Sequence, residues 1–153
     1  INPAKLDLAR RLGASHAVEP AADGGVEDAV RDAAGGPLDV AIEATGLPCL
    51  MAAALRLVKP QGGRAIIVGN ARHGQQLTLD PGQLNQGKRL LGTWGGDSVP
   101  ERDYPRLGRL LAAGRIRVEP LLGQSYRLAE INRALDDLEA GSVIRPVIDM
   151  AAG

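Results

Sequence analysis

Two apolar runs that each end in small residues constrain this chain most. Asp39-Val40-Ala41-Ile42-Glu43-Ala44-Thr45-Gly46 is followed, after a helical stretch, by Gly62-Gly63-Arg64-Ala65-Ile66-Ile67-Val68-Gly69. This strand–helix–strand rhythm points to a parallel sheet with helices on its faces, and so to an α/β fold. In such sheets ligands sit at the carboxyl ends of the strands, where Thr45-Gly46 and Val68-Gly69 fall. The chain opens on Ile1-Asn2-Pro3 with no glycine-rich phosphate loop ahead of its first helix. It reads as the back part of a nucleotide-binding enzyme whose front part is missing.

At 153 residues the chain can bury the core of one domain. That core must be aliphatic, because the sequence has no Phe, one Trp and two Tyr. Eighteen basic and eighteen acidic residues cancel, and no run of Lys or Arg breaks the balance, which argues against a nucleic-acid surface. The single Cys49 excludes an internal disulfide framework and a cysteine-built metal site. No apolar run is long enough to span a bilayer and no signal-peptide pattern is present, so a cytoplasmic protein with no membrane partner is expected.

The local signals run in order. Asn2-Pro3 starts a helix with an apolar stripe of Leu6, Leu8, Ala9 and Leu12, ended by Gly13. Residues 14–18 read as a short strand and 20–25 as a loop with Asp23 as a possible cap. Residues 26–34 fit a helix stopped by Gly35-Gly36-Pro37. Leu38 to Ala44 is a buried strand, Pro48 opens a helix to Leu57, and Arg64 to Val68 is the next strand. Residues 70–76 form a polar loop. Leu77-Thr78-Leu79 alternates like a strand, Asp80-Pro81 caps a short helix to Gln86, and 88–94 reads as a strand. Asp103-Tyr104-Pro105 caps a helix to Ala113, residues 121–126 contain a strand-like return, and 129–140 is an amphipathic helix ended by Gly141. Residues 143–148 form a last strand, whose Pro146 indicates an edge position or a strand start. The rhythm loosens after Trp94, so a change of subdomain is expected near 95–120.

Read together, these residues carry a family resemblance. Asn2-Pro3-Ala4-Lys5-Leu6 through Gly13-Ala14, the Asp39–Gly46 run, Gly62-Gly63-Arg64, Val68-Gly69 and Ala140-Gly141-Ser142-Val143-Ile144-Arg145-Pro146-Val147 occur in the order found in the medium-chain dehydrogenase/reductase family. The chain resembles its zinc-type alcohol dehydrogenases most. The resemblance implies a partial Rossmann-type doubly wound parallel sheet. Residues 1–95 would be the latter part of the dinucleotide-binding domain. Residues 96–153 would add a helix pair and a C-terminal strand that return toward the catalytic domain. It implies hydride transfer between an alcohol or aldehyde and NAD or NADP, in a homodimer or homotetramer that joins sheets through residues 77–94. The family's zinc ligands and glycine loop would lie upstream of Ile1, so zinc is expected only there. The chain alone is expected to be inactive, with no catalytic or metal-binding residue of its own.

By the same resemblance, Asn2 and Lys5 would contact the adenosine ribose; otherwise they are an N-cap and a solvated lysine. Thr45-Gly46 and Val68-Gly69 would line the adenine–ribose and nicotinamide sites, although strand exits need small residues in any case. Thr93 and Trp94 would meet the nicotinamide carboxamide and the substrate pocket, or Trp94 is a core anchor. Arg145 would fork onto the cofactor pyrophosphate, or pair with Asp149. Glu43, in a buried strand, needs a partner: an arginine or a polar cleft. His16 and His73 are isolated, Cys49 reads as a small buried residue, and Asp136, Asp137, Arg102, Arg106 and Arg109 read as solvated helix faces.

Two other readings stay open. One is a zinc-free quinone or enoyl reductase of the same superfamily. The other is a non-catalytic remnant that dimerises through an exposed sheet edge.

Overall fold

The computed structural model of the protein describes residues 3–19 and 25–151. Asn2 and Asp23, assigned cap roles above, lie outside the described residues. The elements are α1 (Pro3–Arg11), α2 (Val26–Ala34), β1 (Val40–Glu43), α3 (Pro48–Leu57), β2 (Arg64–Ile67), α4 (Pro81–Asn85), β3 (Arg89–Gly92), α5 (Pro100–Ala112), β4 (Ser125–Arg127), α6 (Ile131–Glu139) and β5 (Val147–Asp149). They form two units, Ser15–Ser98 and Ile1–Ala14 with Val99–Gly153.

In the first unit the strands lie in the order β1-β2-β3, all parallel. Val40 sits opposite Arg64 and Arg64 opposite Arg89, so the three strands start level and end level. The expected α/β fold with a parallel sheet is therefore present. Along β1, Ala41 and Glu43 point inward while Val40 and Ile42 are exposed, the two-residue period of a strand. Helix α3 packs on β1 and β2. Proline at its start fits the first turn, where no N–H is needed. The core is Ala41, Ala54, Leu55, Val58 and Ala65, joined by Leu38, Leu79 and Leu90. Alanine on both the helix and the sheet lets the two layers approach closely, and Leu55 and Val58 fill the remaining space.

Two charged groups fasten α3. Lys88, just ahead of β3, is 8% exposed, and its Nζ donates to the carbonyls of Leu55 at 3.2 Å and Arg56 at 3.1 Å and to Gln83 Oε1 at 2.7 Å. The two carbonyls belong to the last turn of α3, which lacks intrahelical donors and attracts a cation. Burial lowers the pKa of this amine, and the nearby Arg31 lowers it further. On the other side of α3, Arg56 forks onto Glu27 of α2, with Nε at 2.9 Å and Nη2 at 2.5 Å from Oε1. The Arg56 guanidinium holds the Glu27 carboxyl below its ordinary pKa against the opposing effect of burial.

In the second unit β4 and β5 pair in parallel, Tyr126 opposite Ile148. Tyr126 is fully buried, donates to Asp137 Oδ2 at 2.8 Å, and lies under the Arg133 guanidinium at 5.9 Å from the ring centre. Burial raises the pKa of its phenol, and the bond to Asp137 adds to the shift. Arg117 Nη2 donates to the Arg11 carbonyl at 2.6 Å, closing the C-terminus of α1.

Several local expectations are corrected. Residues 14–18 form no strand, and neither do 77–79; Leu79 instead packs on the core ahead of the Asp80 cap, whose carboxylate accepts from Gly82 N at 2.9 Å. Helix α5 starts at Pro100, so Pro105 falls inside it, and Asp103 reaches back to accept from Val99 N at 2.9 Å. Arg145 and Pro146 precede β5 and are not part of it. Cys49 is exposed, since it stands in the first turn of α3 on the side away from the core. Asp137 is tied to Tyr126 and is not merely solvated. Among the described residues, no helix is long and apolar enough to cross a membrane.

Lys88→Met keeps the apolar stem and removes every donor, leaving the last-turn carbonyls of α3 unpaired. The expected loss is about 1–3 kcal/mol, read from the denaturant midpoint. Glu27 contributes stability above its ordinary pKa of 4.5, and that contribution disappears as pH falls through the depressed folded value. Glu27→Gln should therefore be less stable than the unaltered protein at neutral pH, and the two unfolding curves should converge in acid below that window.

Candidate functional site

The level ends of β1, β2 and β3 bring three loops together at one edge of the first unit. Backbone bonds fix their order. Val68 N and Gly69 N both donate to the Glu43 carbonyl, at 2.8 and 3.0 Å, and Thr93 N donates to the Ile67 carbonyl at 3.2 Å. Two clefts open between these exits. One, of about 360 Å³, is lined by Ile67–Asn70, Gly92, Thr93, Trp94 and Asp97. The other, of about 460 Å³, is lined by Thr45, Gly46, Leu47, Asn70, Arg72 and Gln75.

Six of the nine residues expected to bind cofactor thus fall in these two clefts: Thr45 and Gly46 in one, Val68, Gly69, Thr93 and Trp94 in the other. Lys5 lies on α1 and Arg145 ahead of β5, both in the second unit. Both side chains are exposed, and neither forms an ion pair among the described residues; the Asp149 pairing weighed for Arg145 is absent there. Asn2 lies outside the described residues. Asn70, Arg72, Gln75 and Asp97 were not singled out from the sequence. The signal available was position alone, since Asn70 directly follows the glycine that ends a strand run.

Trp94 is 82% exposed and so does not anchor the core. Its neighbour Thr93 is different. Thr93 lines the cleft between β2 and β3, and its hydroxyl is buried with no hydrogen-bond partner among the described residues. A buried polar atom without a partner is uncommon in native proteins.

The glycines at the exits serve the backbone. A side chain at Gly46, whose φ is +81°, would collide with the Asn70 carbonyl. One at Gly69 would collide with Gly46 N and stand 2.7 Å from Glu43 Oε2. The β1 and β2 exits therefore press against each other, and only residues without Cβ allow it. Glu43 itself is 4% exposed, and its partner is no arginine. Its Oε1 accepts from Thr45 N at 2.6 Å, from the Thr45 hydroxyl and from Gly46 N at 3.0 Å.

The donor set for a metal is missing from this arrangement. Among the described residues no three His, Cys, Asp or Glu side chains come together as a metal ion needs.

The family model described as zinc-binding dehydrogenase matches residues 1–113. Geraniol dehydrogenase of Castellaniella defragrans is 34% identical over 150 residues, which is 96% of this chain and 39% of that protein. The alcohol dehydrogenase zinc-binding domain protein of Burkholderia ambifaria superposes with a TM-score of 0.87 at 34% identity, covering 97% of this chain and 40% of that one. Benzyl alcohol dehydrogenase of Acinetobacter calcoaceticus superposes with a TM-score of 0.89 at 29% identity, covering 99% and 41%. The chain spans about 40% of the length of the relatives it matches. It is homologous to alcohol dehydrogenase-like oxidoreductases and belongs to the zinc-binding dehydrogenase family.

Proposed function

We propose that this chain supplies the cofactor-binding part of an NAD(P)-dependent alcohol dehydrogenase, which transfers hydride between a small alcohol or aldehyde and the nicotinamide ring. The observation that carries this reading is Thr93, which lines the cleft between the β2 and β3 exits and whose buried hydroxyl has no hydrogen-bond partner among the described residues. Family membership and the names of the relatives, a geraniol dehydrogenase and a benzyl alcohol dehydrogenase, support the substrate class.

When bound, the nicotinamide supplies the hydride acceptor or donor. The residues of this chain bind and orient. The Thr93 hydroxyl offers one donor and two acceptor positions to an amide or a ribose hydroxyl. Thr45, Gly46, Val68 and Gly69 present strand-end backbone to a flat ligand. Trp94 offers an exposed aromatic face beside the same cleft. Arg145, exposed and without an ion-pair partner among the described residues, suits two oxygens of a pyrophosphate. Lys5, exposed and likewise without an ion pair among the described residues, suits a ribose hydroxyl or phosphate, and Asn2 is assigned with it. Either phosphate form of the cofactor meets these demands. No residue here is given a part in holding zinc.

The reading extends to organisation. Residues 1–95 are assigned to the dinucleotide-binding domain, and 96–153 to the segment that completes it and leads toward the catalytic domain. Self-association as a homodimer or homotetramer is supported by the outer edge of β3, which pairs with no strand among the described residues and where Leu91 is exposed. A cytoplasmic location is supported by Cys49, a single exposed thiol of the kind that persists in a reducing compartment.

Trp94 is the only tryptophan and lines the cleft, so its emission should fall saturably as NADH or NADPH is added. No saturable response to either nucleotide would overturn the reading in favour of a dimerising remnant. Thr93→Val should leave the melting temperature of the ligand-free protein unchanged or slightly raised, because it removes an unpaired polar atom. It should weaken nucleotide binding by about 3- to 10-fold, the worth of one hydrogen bond.

A further inference from the structure

Glu43 is the most buried carboxylate in the first unit, and it touches no cation among the described residues. Every bond to its carboxylate comes from the turn that follows it. Oε1 accepts from Thr45 N at 2.6 Å, from the Thr45 hydroxyl and from Gly46 N at 3.0 Å, and Oε2 accepts from Gly46 N at 3.2 Å. The Thr45 oxygen in turn accepts from Leu47 N at 3.2 Å, and Leu47 is the residue that opens α3. The same residue acts on the neighbouring exit through its backbone, whose carbonyl receives Val68 N and Gly69 N. Its carboxylate also occupies the space where a Gly69 side chain would stand. One residue thus fixes the turn lining the second cleft and the strand end, Val68 and Gly69, lining the first.

We infer that Glu43 is a positioning residue for the nucleotide site, acting through the reach of its carboxylate and not through its charge. The inference rests on the cofactor reading above. It follows from where the bonds converge. Three of the four bonds, from Thr45 N, the Thr45 hydroxyl and Gly46 N, meet at Oε1, and the fourth, to Oε2 at 3.2 Å, is the longer arm of the bond that Gly46 N already makes to Oε1, so one acceptor oxygen at that place keeps a partner for every donor. Glutamine supplies that oxygen at the same reach without the charge. Aspartate keeps the charge and falls one methylene short, and alanine supplies neither.

The test crosses charge against reach in Glu43→Gln, Glu43→Asp and Glu43→Ala of the full chain. Two readouts are taken: amide hydrogen exchange, and NADH affinity from Trp94 emission. Glu43→Asp and Glu43→Ala should speed exchange at the Thr45 and Gly46 amides while Ala65 and Leu90, inside β2 and β3, keep their protection. Both should weaken NADH binding by about tenfold or more, whereas Glu43→Gln stays within about threefold of the unaltered protein on the scale of single hydrogen bonds. The reverse order, with Asp retained and Gln lost, would show that charge is what matters and overturn the inference. Equal loss of protection at Ala65 and Leu90 would also overturn it, by making Glu43 a residue of general stability. If the unaltered protein binds no NADH, the cofactor reading falls, and the exchange pattern alone decides whether reach or charge holds the turn.

Discussion

A carboxylate with no counter-ion is tolerable inside a protein only when hydrogen bonds replace the water it has lost. Glu43 meets that condition with two residues of its own chain, and much of the first unit follows from it. The turn wraps tightly enough to bring Thr45 and Gly46 back over the strand end. That wrap places Leu47 at the start of α3 and Gly46 against Asn70. With β1 and β2 in register, the close contact excludes a Cβ at Gly46 and at Gly69. The strand exits are a packed assembly in their own right, and the clefts are the gaps it leaves.

The parallel sheet was legible because apolar runs ending in small residues have few other uses. Helices α2 and α3 fall on the expected residues, since Gly35-Gly36-Pro37 and Pro48 are unambiguous punctuation. The grouping of Thr45, Gly46, Val68, Gly69, Thr93 and Trp94 followed from the rule that strand ends in such sheets gather on one side. Less was readable where a residue's fate depends on a distant partner. Lys88 looks like the polar start of a strand, and its burial depends on carbonyls more than thirty positions earlier. The partner of Glu43 was out of reach for the opposite reason. A carboxylate can turn back on its own next residues only in one backbone conformation, and sequence does not report that conformation. Three alternating residues at 77–79 were too few to distinguish a strand from a segment that delivers one leucine to the core.

Two charged side chains of this unit act on the C-terminal turn of one helix. Lys88 neutralises the last turn of α3, and the Glu27–Arg56 fork ties the same helix to α2. Helix α3 is buried on almost every side, with Arg56 as its one charged residue, so it has little amphipathic preference of its own to set its rotation. These two polar attachments fix which side of an evenly apolar cylinder faces the sheet, a job that hydrophobic burial alone does poorly.

The second unit rests on much less. A two-stranded parallel ladder is marginal by itself, and among the described residues Tyr126 is the one large side chain fully buried there. Helix α5 has no buried residue, and Tyr104, Leu107 and Leu111 stand in the open on its surface. Cooperativity in the molecule is therefore uneven. Beside the Gly123 N–Arg145 and Val147 N–Gln124 backbone bonds, the β4–β5 pair leans on one phenol inserted against α6, the sparse burial that marks a segment of low local stability. A ladder with so little buried behind it opens at a lower free energy than a sheet backed by a helix.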